Sequence, residues 1–150
     1  MSEVPDSWPR PRQDRLWSGD QLPATETELA EAEQRLGVKF PADYRDYLLT
    51  HNGVKGWFGE VYLELYSVSD VIGSTEAHDH QARQPGLVLI GGDGAGEAVG
   101  YDFRKIPPPV VLVNLVSAGW EDASLQAPTF SEFMAQRSSG QEFSFASGYS

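Results

Sequence analysis

Residues 36–53 read LGVKFPADYRDYLLTHNG and mark the boundary between two helices. Gly37 can adopt the left-handed backbone conformation that often ends a helix, and the fixed φ of Pro41 suits the first position of the next helix. Tyr44 and Leu48 then recur at helical spacing, until the Asn-Gly pair at the end of the stretch closes the second helix. The stretch therefore predicts two consecutive helices.

The first of these helices begins upstream, at Thr25. Thr25 and Glu28 have the spacing of a capping box, in which the hydroxyl and the carboxylate each accept a hydrogen bond from the other residue's free amide. Leu29, Ala32 and Leu36 follow at helical spacing and form one apolar face. The glycine after Leu36 then ends this helix, so the pair of helices leads the domain.

Residues 1–24 contain four prolines and charges of both signs, so we predict an irregular N-terminal arm. We expect Trp8 and Trp17 to dock the arm onto the core. The alternative is that they contact a partner, because exposed Trp is enriched at interfaces. The domain itself is predicted to cover residues 25–138, and the Ser- and Gly-containing residues 139–150 are predicted to form a flexible tail.

Strands are predicted after the helical pair. Val61, Leu63 and Leu65 alternate with more polar residues, which is typical of a strand with one buried face. Residues 87–90 form an apolar run, residues 91–96 a glycine-rich turn and residues 98–103 a following strand, which together predict a β-hairpin. Three prolines, residues 107–109, separate this hairpin from another apolar segment.

The C-terminal half continues with a strand at residues 110–116 and ends with a helix. Thr129 or Ser131 caps that helix, and Phe130, Phe133 and Met134 share one face. Helices, then strands, then a helix indicate an α+β fold: a single domain whose mostly antiparallel sheet is packed against an N-terminal helical pair and a C-terminal helix.

The charge of the chain limits the class of partner. The sequence has 22 acidic and 11 basic residues and a net charge of −11. Such a molecule repels phosphate backbones and anionic lipids, so we expect neither nucleic acid nor a membrane as a partner. The same field would attract a basic protein, although acidity that only keeps the protein dissolved would give the same composition.

The chain has no cysteine, which excludes disulfides, thiolate nucleophiles and cysteine metal sites and fits a cytoplasmic protein. Residues 1–13 lack the apolar core of a signal peptide. No apolar run reaches the ~18 residues that a membrane-spanning helix needs. We therefore expect the cytoplasm as its location.

Glycines at residues 91–96 suggest a phosphate-binding loop, but the chemistry does not fit. Glu97 stands where that motif needs a lysine, and a strand follows where the motif needs a helix. Asp93 alone supplies too few oxygens for a calcium loop. The glycines therefore indicate a tight hairpin turn, and we predict no cofactor.

Catalytic motifs are scarce in this sequence. Glu76, His78 and His80 alternate and could ligate a metal on a strand, but residues 73–86 have the composition of a loop, so a chance cluster is the alternative. No nucleophile elbow is present, and Glu121 and Asp122 are adjacent residues that usually point apart. We predict that the protein is not an enzyme and holds no metal.

Aromatic residues beside acidic ones remain as the candidate functional feature. An aromatic ring supplies buried area at a small entropic cost, and carboxylates select a basic partner. The two tryptophans involved could instead fill the core. The residues that we expect to bind a partner are Trp57, Glu60, Asp93, Glu97, Asp102, Trp120, Glu121 and Asp122.

Three segments of the chain resemble the SUKH superfamily, which includes fungal cell-wall synthesis regulators of the Smi/Knr type and bacterial immunity proteins. Residues 36–53 resemble the pattern "LG...LP.DY..FL...NG". Residues 90–97, IGGDGAGE, resemble the glycine-rich turn of the family, and residues 129–134, TFSEFM, resemble its terminal helix. The resemblance spans residues 24–137 in the expected order.

This resemblance implies an α+β fold without a cofactor or catalytic activity. For bacterial members it also implies neutralisation of a cognate toxin, often a nuclease, and a basic toxin domain agrees with the acidic charge of this chain. The alternative is a regulatory or scaffold domain that binds an endogenous protein. The partner-binding residues named above follow from composition and not from a family motif.

Overall fold

The computed structural model describes residues 8–19, 22–77, 84–116, 119–146 and 148–150. Within these ranges the chain forms four α-helices and six strands, and none of these helices is both long and apolar enough to cross a membrane. The elements in chain order are α1 (Glu26–Leu36), α2 (Ala42–Thr50), β1 (Val54–Phe58), β2 (Val61–Leu65), α3 (Val68–Ala77), β3 (Leu87–Gly92), β4 (Glu97–Asp102), β5 (Val110–Asn114), β6 (Ser124–Ala127) and α4 (Phe130–Ser138). The predicted α+β fold is confirmed.

The six strands form one antiparallel sheet in chain order, from β1 at one edge to β6 at the other. Glu64 of β2 pairs with Gly92, the last residue of β3. The turn between β1 and β2 and the turn between β3 and β4 therefore project from the same end of the sheet. We call this the hairpin end.

The predicted helix boundaries are confirmed in detail for α1 and α4. Thr25 Oγ1 accepts a hydrogen bond from Glu28 N at 3.1 Å, and Glu28 Oε1 accepts one from Thr25 N at 3.0 Å. Gly37 has a φ of 70°, which is the left-handed conformation that ends the helix. Thr129 caps α4 by accepting from an amide of its first turn. Pro41 precedes α2 by one residue instead of forming its first turn.

Helix α3 was not predicted, and residues 73–77 of the segment assigned to a loop belong to it. Its β-branched, Gly and Ser residues favour helix weakly, so local and tertiary contacts stabilise it. Asn52 Oδ1 accepts a hydrogen bond from Val68 N at 2.9 Å, which satisfies a free amide at the helix start. Thr75 Oγ1 accepts from Leu89 N at 2.9 Å, where β3 extends beyond its pairing with β2.

Helices α1, α2 and α4 cover one face of the sheet with an aromatic core. The ring centroid of Phe130 lies 5.1 Å from that of Tyr44 and 5.2 Å from that of Tyr47. All three side chains are buried, together with Phe133 and Met134. Tilted and edge-to-face ring pairs of this kind add to the stabilisation by buried apolar area, and they fix the helices on the sheet.

The opposite face of the sheet carries a smaller apolar cluster around Leu87, Leu89 and Val111, and residues 119–123 cover it. A Cβ at Gly100 would lie 2.7 Å from Leu87 Cδ1 and 2.8 Å from Val88 O, so this position requires glycine for close packing. Residues 119–123 cover only part of this face. Towards β1 and β2 more of the face is open to solvent, and Lys55 of β1 is exposed there.

Described segments near both ends of the chain, within residues 8–19 and 139–146, lie against the domain. Ser18 and Lys55 exchange two backbone hydrogen bonds of 2.9 Å, and Arg12 N donates to Trp57 O at 2.7 Å, so the arm runs along the outer edge of β1. Near the C-terminus, the amide side chain of Gln126 bonds both backbone polar groups of Ser144 at 2.8 and 2.9 Å. The segment predicted as a flexible tail therefore makes specific contacts.

Candidate protein-binding surface

The structure divides the eight predicted partner-binding residues into two groups. Glu97 and Asp102 lie at opposite ends of β4, and five residues of strand span about 17 Å at roughly 3.3 Å per residue. The group at the hairpin end consists of Trp57, Glu60, Asp93 and Glu97. The other group consists of Asp102, Trp120, Glu121 and Asp122.

At the hairpin end, aromatic and acidic side chains form a shallow groove of about 240 Å³. The rings of Trp57 and Tyr62 meet edge to face, with centroids 5.7 Å apart. Phe145, 66% exposed, forms another wall. We call this groove the hairpin-end surface, and it is lined by Trp57, Glu60, Val61, Tyr62, Asp93, Glu142, Phe143 and Phe145.

Strand register and turn geometry position these side chains. Trp57 pairs with Tyr62 across β1 and β2. Gly94 has a φ of 76°, and a Cβ there would lie 2.7 Å from a carbon of the Tyr62 ring, so glycine lets the next turn close against that ring. Asp93 Oδ1 accepts from Ala95 N at 2.8 Å and from Glu97 N at 3.1 Å, which holds the turn.

The polar groups of this region differ in their hydrogen bonds and in their charge. Glu97 Oε1 accepts from Asn114 Nδ2 at 3.0 Å and is thereby held towards β5. Partial burial and the nearby carboxylate of Glu64 raise the pKa of Tyr62, so its phenol is protonated at neutral pH. The groove therefore offers carboxylates beside a neutral phenol and apolar rings.

Two arginines of the N-terminal arm lie against the hairpin-end surface. The guanidinium of Arg15 stacks 4.7 Å from the ring centroid of Trp57, and its Nη2 lies 3.9 Å from Glu60 Oε2. Arg12 Nη1 donates to Glu60 Oε1 at 2.8 Å. The Glu60 side chain is 73% exposed, so these ion pairs lie in solvent.

Two of the four predicted residues in the second group, Asp102 and Trp120, are buried. Asp102 is fully buried; Arg104 Nε donates to its Oδ1 at 3.0 Å and Arg104 Nη2 to its Oδ2 at 2.8 Å, while the Tyr149 hydroxyl donates to the same Oδ2. The Arg104 guanidinium stacks 4.1 Å from the Trp120 ring centroid. We call Asp102, Arg104, Trp120 and Tyr149 the Trp120 corner.

The carboxylate of Asp102 is ionised by its neighbours. Burial alone would raise its pKa, but the hydrogen bonds from Arg104 and Tyr149 outweigh burial and lower the pKa. Trp120 is only 7% exposed, and its Nε1 donates to Pro85 O at 3.0 Å. Asp102 and Trp120 therefore bind their own chain, whereas the adjacent Glu121 and Asp122 are exposed.

Of the three residues considered as metal ligands, Glu76, His78 and His80, only Glu76 lies within the described part of the chain. Glu76 accepts two hydrogen bonds of 2.8 Å from the guanidinium of Arg35. His78 and His80 lie outside the described residues. In the described part of the chain, no group of three or more His, Cys, Asp and Glu side chains is arranged to hold a metal ion.

Five residues that line the hairpin-end surface were missed by sequence reasoning: Val61, Tyr62, Glu142, Phe143 and Phe145. The alternation of β2 places Tyr62 opposite the buried face, and this signal could have added it to the site. Glu142 and Phe145 belong to the segment predicted as a loose tail, and no local pattern shows that the tail returns to the β1–β2 turn. That path is set by contacts such as the one between Gln126 and Ser144.

Comparisons with known proteins agree with this architecture. The model of the SMI1/KNR4 family (SUKH-1) matches residues 23–136. The uncharacterized protein YnaB of Bacillus subtilis (strain 168) is 41% identical over 69 residues, which are 46% of this chain and 44% of that protein. The match thus spans less than half of the length of this relative. Because the family model covers most of the chain, from the residues before α1 to α4, the chain belongs to the SMI1/KNR4 family (SUKH-1).

Proposed function

We propose that this chain is a non-catalytic, immunity-type protein that neutralises a toxin by binding a basic surface of it. The observation that carries the proposal is the hairpin-end surface, where half-buried aromatic rings and the exposed Phe145 stand beside three carboxylates, those of Glu60, Asp93 and Glu142. Membership of the SMI1/KNR4 family is consistent with a protein-binding domain. Exposed aromatic anchors beside charged groups are typical of protein interfaces.

Electrostatics supports a basic partner. The net charge of −11 produces a long-range attraction for a basic protein, which accelerates encounter before short-range contacts form. A specific complex buries roughly 800 Å² on each partner, so the interface would extend beyond the groove. We expect neither nucleic acid nor a membrane as a partner, and we propose that the protein acts in the cytoplasm.

The proposal is tested by capturing the partner and measuring its toxicity. Tagged protein is used as bait in the source cells, captured proteins are identified by mass spectrometry, and each is expressed alone and together with the bait. A captured protein that is toxic alone and harmless on co-expression is the expected result. A captured protein that is harmless alone would contradict the immunity function and would support the regulatory alternative.

A matched pair of variants locates the interface. Glu60→Gln removes a carboxylate from the hairpin-end surface, and Glu121→Gln removes an exposed one beside the Trp120 corner. We expect the first to slow association with the captured toxin at low salt and the second to leave the rate nearly unchanged. The opposite order would place the interface at the Trp120 corner.

A further inference from the structure

An arginine of the chain itself already contacts the hairpin-end surface and indicates which kind of side chain fits there. Arg15 lays its guanidinium over the Trp57 ring and directs Nη2 towards Glu60. A planar cation stacks well on an indole face and pairs with a carboxylate at its edge. The arrangement of Trp57 and Glu60 is therefore suited to arginine.

The two arm arginines are held to different degrees. Arg12 bonds Glu60 at 2.8 Å, bonds both Asp14 oxygens at 2.6 and 2.9 Å, and is anchored through its backbone amide to Trp57 O. Arg15 has only the 3.9 Å approach to Glu60 and the ring contact, and its side chain is 41% exposed. Arg15 is therefore the more easily displaced of the two.

The groove beside this position has the shape and charge of a site for a basic segment. Val61, Tyr62 and the exposed Phe145 supply apolar walls, and the carboxylates of Asp93 and Glu142 stand at the same groove. None of the eight described residues that line it is basic. An apolar residue beside an arginine could pack on these rings while the guanidinium reaches Trp57.

We propose that the hairpin-end surface recognises an arginine next to an apolar residue on the protein partner, and that this arginine displaces Arg15 from the Trp57 ring. The inference rests on the proposed function, since it describes the partner's chemistry at the same surface. Arg15 then acts as an internal competitor, which the partner must replace before Trp57 and Glu60 are engaged.

The test is an NMR titration of the full chain with a short peptide that alternates arginine and leucine. The control peptide has citrulline, which keeps the shape of arginine without its charge. We expect the arginine peptide to shift the signals of the Trp57 indole, Glu60 and Phe145. The citrulline peptide should bind about tenfold more weakly, because it loses the cation–π contact and the ion pair.

Three variants sharpen the test. Arg15→Ala removes the competitor and should tighten peptide binding about threefold, as expected from an exposed cation–π contact. Glu60→Gln should weaken binding, while Asp14→Asn, which loosens Arg12 but leaves the groove intact, should not change it. Equal binding of the citrulline peptide, or unchanged binding by Arg15→Ala, would overturn the inference.

The proposed function can fail separately from this inference. If a toxin is captured and neutralised equally well by the Glu60→Gln and Arg15→Ala variants, the arginine site is refuted and the immunity function stands. If the peptide results are as expected but no captured protein is toxic, the immunity function is refuted and arginine recognition stands.

Discussion

The hairpin-end surface and the Trp120 corner combine the same three types of side chain, a tryptophan, an arginine and a carboxylate. At the corner, Asp102 is fully buried and receives two hydrogen bonds from the guanidinium of Arg104, which stacks on Trp120. At the hairpin end, Glu60 is 73% exposed; Arg12 bonds it at 2.8 Å, and Arg15, which stacks on Trp57, lies 3.9 Å from it. We call the buried arrangement at the corner closed and the solvent-exposed arrangement at the hairpin end open.

This difference separates a structural role from the binding role that we propose for the hairpin-end surface. A buried carboxylate needs its partners permanently, because its desolvation is otherwise uncompensated. An exposed carboxylate is compensated by water, so its arginine can be exchanged for another at little cost. Two sites of similar composition therefore differ in whether their arginine can be exchanged, and the degree of burial of the carboxylate determines this difference.

The largest expected effect comes from truncating the two tryptophans. Trp120→Ala should lower the free energy of unfolding by about 3–4 kcal/mol, because it leaves a cavity over Leu87 and Leu89. Trp57→Ala should cost about 1–2 kcal/mol, since its ring is only partly buried. Urea unfolding followed by circular dichroism measures both. Equal losses would mean that the two sites do not differ in structural role.

The two carboxylates provide the next comparison. Asp102→Asn should lower the free energy of unfolding by about 2–3 kcal/mol, because Arg104 and Tyr149 lose a charged acceptor in a buried position. Glu60→Gln should change it by no more than about 0.5 kcal/mol. The same urea experiment applies, and a costly Glu60→Gln would contradict the open character of the hairpin end.

Much of the fold was predictable because its signals are local. The capping pair of Thr25 and Glu28 and the alternation of β2 depend on residues close in the chain. Strand β6 was missed because it has only four residues. Strand β1 was missed because it has a glycine where the arm packs: a Cβ at Gly56 would lie 2.7 Å from Pro11 Cβ. Strand pairing and packing define these elements, and neither is visible in a single short segment.

The candidate site was predictable only in part for the same reason. Composition indicated Trp57 and Trp120 equally, since both stand beside acidic residues. The buried carboxylate of Asp102 accepts hydrogen bonds from Arg104 and from Tyr149, which is 47 residues away in the chain. A contact at that separation leaves no periodic pattern, so the sequence could not distinguish the closed arrangement from the open one.

The pH dependence of stability should also distinguish the two carboxylates. The pKa of Asp102 is lowered in the folded state, so the unfolded chain takes up a proton there first as the pH falls. The advantage of the wild type over Asp102→Asn should therefore be complete above about pH 5 and shrink as the pH drops below about 4. Urea unfolding of both proteins between pH 7 and pH 3 measures this, and a constant difference would contradict it.

The smallest expected effect on stability is that of Arg15→Ala. Its ion pair is long and exposed, so the free energy of unfolding should change by less than about 0.5 kcal/mol. Arg104→Ala is the matched substitution at the Trp120 corner and should cost about 2 kcal/mol, because it leaves the buried Asp102 charge without its main partner. A large loss for Arg15→Ala would show that the arm needs this arginine to stay in place.

The arm that runs along β1 also has a consequence for self-association. An uncovered strand edge presents free backbone groups that can recruit a strand from another molecule and start aggregation. Ser18 and Arg12 occupy such groups on β1, and Pro9 and Pro11 lack the N–H that a further strand would need. A protease that removed the arm would therefore expose this edge of β1 to pairing with a strand of another molecule.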